Sequence, residues 1–67
     1  MRRWIVIVDW VDGNVEDSDE IVVRARTAAG ATSKARAVWS ITNRAEWPLS
    51  QIQKVFVLTP KRLRRLA

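Results

Sequence analysis

The segment Trp4-Ile5-Val6-Ile7-Val8-Asp9-Trp10-Val11 constrains the fold of this chain more than any other feature. It is dense in β-branched and aromatic residues, which fit a pleated, packed surface better than a helix. Successive side chains of a strand point to opposite faces, so Trp4, Val6, Val8 and Trp10 share one face and Ile5, Ile7, Asp9 and Val11 the other. Both faces are largely apolar. Such a strand is expected at the centre of a sheet, with a neighbour on each side and material above and below.

With only 67 residues, the chain has room for one small hydrophobic core. It has no Cys and no His, which excludes disulfides and Cys/His metal sites as staples. Close packing or self-association must do that work instead, and four Trp residues supply large apolar area for it. No apolar run reaches the roughly 18–20 residues of a membrane span. Asp9 and Asp12 interrupt the N-terminal apolar stretch, so it does not read as a signal peptide.

After the first strand, Asp12-Gly13-Asn14 is a turn signal, and the acidic stretch Glu16-Asp17-Ser18-Asp19-Glu20 is expected to lengthen it into a loop. Glu20 to Thr27 alternates, with Ile21, Val23 and Ala25 on one side and Val22, Arg24 and Arg26 on the other, which predicts a half-buried second strand. A helix follows, capped by Thr27, or by Thr32 or Ser33, with Ala31, Ala35, Val38, Trp39 and Thr42 as its buried stripe. Alanines at its start permit close approach to a sheet, and Trp39 fills a wider gap further on. Trp47-Pro48 stops the helix. A third strand is expected over Ile52 to Leu58, and Thr59-Pro60 has the form of a new helix start.

The expected fold is therefore α+β: a small β-β-α-β domain over residues 1–59 and a basic C-terminal helical tail over 60–67. Because the first strand is the most apolar, a three-stranded antiparallel sheet of order 2-1-3 is favoured, with one helix on one face and a short basic C-terminal helix. The helix-free face then carries an apolar row that needs a second layer. The C-terminal helix, a second copy or a ligand could provide it. Strand–turn–strand followed by helix and strand recurs among small proteins, compact phage-encoded ones included, and no motif here names a family.

Charge is placed unevenly. Six of the seven acids lie between Asp9 and Glu20, and Lys61, Arg62, Arg64 and Arg65 carry four of the twelve basic charges. Removing that tail would lower the formal net charge from +5 to +1. A basic cluster of this kind can neutralise phosphates and release counterions. The expected function is that of a small non-enzymatic nucleic-acid-binding protein, with Arg24, Arg26, Lys61, Arg62, Arg64 and Arg65 as the contact set. Arg2, Arg3 and Lys54 are expected nearby on the sheet. A cytoplasmic homodimer is expected, with Trp4, Trp10 or Trp47 as interface residues and the two basic ends joined in one footprint.

Two alternatives belong to other classes. One is a protein-interaction module, a regulator or inhibitor that presents Trp47 and its charged rims to another protein, the partner of the basic residues then being an acidic protein surface. The other is an assembly protein whose acidic loop meets the basic tail of the next copy. Catalytic residues and cofactors are expected to be none, because nucleophile–base sets and Gly-rich phosphate loops are missing. No metal site is expected either: Asp9, Asp12, Glu16, Asp17, Asp19 and Glu20 lack the spacing of a calcium loop and read as a solvated loop. Asp9 interrupts an otherwise apolar row and is expected either to pair, with Arg24 or Arg26 as candidate cross-strand partners, or to stand exposed.

Overall fold

The computed structural model describes residues 1–58. Within them, strand β1 (Arg2–Asp12), strand β2 (Val15–Ala25), helix α1 (Ala28–Glu46) and strand β3 (Gln51–Val57) follow in that order. The sheet is antiparallel with order β2-β1-β3. The doubly apolar strand is thus the central one, as its composition requires. The helical tail expected over 60–67 lies outside the described residues.

The connection between β1 and β2 differs from the expected long loop. Asp12 pairs with Val15, leaving only Gly13 and Asn14 to turn the chain. Gly13 has φ +59°, and among the described residues no non-glycine residue has a positive φ, which matches the glycine-first two-residue turn that suits the twist of a hairpin. This turn fixes the register through the acidic stretch, placing Glu16 opposite Val11, Asp17 opposite Trp10 and Ser18 opposite Asp9. Acidic residues are poor strand formers in general. Here their partner is a strongly β-forming strand, and β2 is an edge, where charges stay hydrated and deter edge-to-edge association.

Thr27 caps α1 from an extended conformation, its Oγ1 accepting from the Gly30 N–H at 3.1 Å. Neither Thr32 nor Ser33 is needed for that role. Trp47 ends the helix, its N–H donating to the Asn43 carbonyl at 2.7 Å before Pro48. The turn into β3 is tied by Ser50, whose Oγ donates to the Trp47 carbonyl at 2.7 Å and accepts from Asn43 Nδ2 at 3.3 Å.

Helix α1 lies across one face of the sheet. Its buried residues are Ala31, Ala35 and Trp39, a single i, i+4, i+8 ridge. Val38 and Thr42, expected in the stripe, are exposed, because a three-stranded sheet is too narrow to take a second ridge. Near the start of the helix, Ala31 and Ala35 meet Val6, Val23 and Ala25, with Trp4, Val55 and Val57 alongside. Further along, Trp39 packs with Val8 and Trp10, flanked by Trp47 and Ile52. Small residues bring helix and sheet close at one end and the indole fills the wedge at the other.

Candidate nucleic-acid interface

An antiparallel sheet gathers segments that are distant in sequence, and here it sorts them by charge. The start of β1 lies beside the end of β2, with Arg2 opposite Ala25 and Arg3 opposite Arg24. Strand β3 ends at the same level: Val57 pairs with Val6, and the Leu58 N–H donates to the Ile5 carbonyl at 2.9 Å. The N-terminus of α1 joins them, since Ala28 follows β2 after two residues. Arg2, Arg3, Arg24 and Arg26 are all exposed there. Lys34, in the second turn of α1, donates from Nζ to the Arg24 carbonyl at 2.6 Å and adds a fifth cation that the sequence pattern alone did not place at the site. Its signal was available, since an i+7 position from the Thr27 cap lies at the same end of the helix.

Arg3 and Arg24 face each other directly on the helix-free side. Like charges opposite one another weaken a strand pair. An anion set between them would remove that penalty. The helix N-terminus contributes in the same direction, with no acidic residue in its first turn to offset the partial positive charge. Arg2 lies on the other side, its Cζ 4.6 Å from the centre of the Trp4 ring. Stacked in this way, a guanidinium keeps its donors available while its stem is held.

Of the sequence-derived contact set, Arg24 and Arg26 belong to this end, whereas Lys61, Arg62, Arg64 and Arg65 lie outside the described residues. Lys54, expected nearby, does not join them. It pairs with Asp9 in the middle of the sheet and sits over the Phe56 ring, 5.1 Å from its centre. Asp9 likewise does not meet Arg24 or Arg26. The short hairpin sets it opposite Ser18, whose Oγ donates to Asp9 Oδ1.

The tryptophans expected at a dimer interface, Trp4, Trp10 and Trp47, do not contribute to the helix-free face. Trp4 is half-buried against the core, and its Nε1–H donates to the Ala25 carbonyl at 2.8 Å. Trp10 is 2% exposed beneath the helix, and Trp47 covers it with ring centres 5.5 Å apart. Trp39 Nε1–H donates to Asp19 Oδ2 at 3.1 Å. Even-numbered positions of β1 face the helix, so α1 roofs the aromatic row, while Ile5, Ile7, Asp9 and Val11 lie on the face away from it.

The opposite end of the domain is acidic. Asp12, Glu16, Asp17 and Asp19 surround the hairpin, and a groove between β2 and the second half of α1 is lined by Asp19, Glu20, Trp39, Asn43 and Glu46. Among the described residues, no group of three or more carboxylates is arranged to hold a metal ion. No described helix is long and apolar enough to cross a membrane. Comparison with family models, curated proteins and solved structures returns no match to this chain. The functional reading therefore rests on the geometry of the charged end.

Proposed function

We propose that this is a non-enzymatic nucleic-acid-binding protein of the cytoplasm that grips phosphates with the basic end of its sheet. The observation that supports this reading is the convergence of Arg2, Arg3, Arg24, Arg26 and Lys34, drawn from three separate segments, at the end where the chain departs toward its basic tail. Phosphate binding by such an end gives affinity with little sequence preference and a steep dependence on salt. The acidic hairpin at the far end repels the same backbone, so it orients the domain on approach.

Titrating generic duplex and single-stranded DNA and RNA across a salt series tests the proposal. Affinity should fall linearly on a log–log plot against salt, and each phosphate that is no longer neutralised should flatten the slope by about 0.9 on a duplex or 0.7 on a single strand. Arg24→Ser with Arg26→Ser should flatten it by about two such steps. Deleting residues 60–67 should flatten it further. Absence of binding at low salt, or binding indifferent to these changes, overturns the reading.

One observation favours a second reading, a protein-interaction module. Val38 and Ile41 are 43% and 77% exposed one turn apart on the outer face of α1. Val38→Ser with Ile41→Ser separates the readings: it leaves phosphate binding intact and abolishes recognition of a protein partner.

A further inference from the structure

Among the described residues, strand β2 has a neighbouring strand on one side only, so its other edge is free. In an antiparallel pair, residues directly opposite each other exchange both backbone hydrogen bonds or neither. The Ile5 carbonyl accepts from the Leu58 N–H, so Ile5 and Val22 are a pair of the second kind, and the N–H and C=O of Val22 point away from β1. The same holds at the alternate positions Glu20 and Arg24. The Arg24 carbonyl, open to Lys34 Nζ at 2.6 Å, agrees. A strand edge of this kind is a template for another strand. Its sequence from Glu20 to Arg24 is Glu-Ile-Val-Val-Arg, which is complementary to itself when reversed about Val22.

We propose that a second copy of this chain pairs antiparallel with the free edge of β2, about a twofold axis that passes through Val22 normal to the sheet. Val22 then meets Val22 of the other copy, Ile21 meets Val23, and Glu20 meets Arg24 on both sides of the axis. Within one copy neither charge has an opposite partner across β1, since Glu20 faces Ile7 and Arg24 faces Arg3. The pairing gives one to each. Sliding by two residues is the smallest step that keeps outward backbone groups paired and side chains on their own faces, and it sets Val22 against Glu20 or against Arg24. Registers centred further along, on the acidic half of β2, bring carboxylates together. The charges that deter indiscriminate edge pairing therefore leave this register open.

The helix supplies an independent observation. Lys34, Val38 and Ile41, at i, i+4 and i+7, share one side of α1, and the bond from Lys34 to the outward Arg24 carbonyl places that side over the free edge. Because α1 meets β2 at Arg24 through Lys34 and at Asp19 through Trp39, Val38 lies near the level of Val22. Val38 and Ile41, 43% and 77% exposed, are thus on the side from which the second copy approaches. The axis puts both helices on one face of the joined sheet, where these side chains meet above the paired edges. Such an isologous contact closes after two copies and does not propagate. It needs no ligand at the basic end.

Sedimentation of the full chain without nucleic acid, over a concentration series, should reveal a species of twice the 7.7 kDa of one copy. Glu20→Arg and Arg24→Glu should each shift the chain to monomer, because each sets like charges opposite one another. An equimolar mixture of the two, or both changes in one chain, should recover the dimer. Val38→Ser with Ile41→Ser should raise the dimer dissociation constant by about tenfold or more. Amide hydrogen exchange on the parent chain needs no variant to fold: the N–H groups of Glu20, Val22 and Arg24 should become protected as concentration rises. A parent chain that stays monomeric, single charge variants that dimerise as well as the parent, or a dimer in which those three groups exchange as fast as in the monomer would overturn the proposal. So would protection that is independent of concentration, since the edge would then be covered from within the same chain.

Discussion

The two faces of the sheet are built from similar residues and have opposite fates. On the helix side Val6 and Val8 are fully buried and Trp10 nearly so, while on the other side Val22 is half exposed and Ile5 and Ile7 are only partly covered by their neighbours. The difference is not hydrophobicity. It comes from what α1 can roof: the aromatic row accepts an alanine-rich ridge ending in Trp39, whereas the isoleucine row is interrupted by Asp9 and bounded by Arg3 and Arg24. Among the described elements, only one face of the sheet carries a helix.

The largest way to break this contrast is to remove the roof's anchor. Trp39→Ala should cost about 3–5 kcal/mol of unfolding free energy, measured by urea denaturation, because it empties the wedge over Val8 and Trp10. That loss is comparable to the whole stability expected of so small a domain. A matched pair of nearly isosteric changes sharpens the contrast further. Val8→Thr should cost roughly 1–3 kcal/mol, since it places a hydroxyl in a fully buried position. Val22→Thr, at a position that is 53% exposed, should stay within about 0.5 kcal/mol. Equal losses for the two would mean that the faces are equally covered within one copy.

The smaller tests concern the devices that fix which face is which. Gly13→Ala should cost about 1–2 kcal/mol, seen as a lower urea midpoint, because φ +59° disfavours any residue with a Cβ. Thr27→Ala should cost about 1 kcal/mol by the same measurement, through loss of the bond to the Gly30 N–H.

Much of the fold could be read in the chain itself. The central position of the Trp4–Val11 strand, the sheet order, the Trp47-Pro48 stop and the pairing of alanines with a close helix approach all follow from local pattern. The extent of β2 did not, because propensity marks its acidic half as a loop while the Gly13-Asn14 turn and the partner strand hold it extended. The candidate site was legible only in pieces. Arg24 and Arg26 stood out as a same-side pair, whereas Lys34 reaches their end of the sheet through a hydrogen bond to the Arg24 carbonyl.

By itself, the sequence determined which segments are strands and helix and which of them had to be central, because those choices depend on side-chain period and on residues that start or stop a helix. Tertiary structure decided the register, and with it everything about charge. A hairpin of two loop residues sets Arg3 against Arg24 and Asp9 against Ser18. A loop longer by one residue would have moved every one of those side chains to a new neighbour, since cross-strand partners are fixed by the length of the turn that joins them.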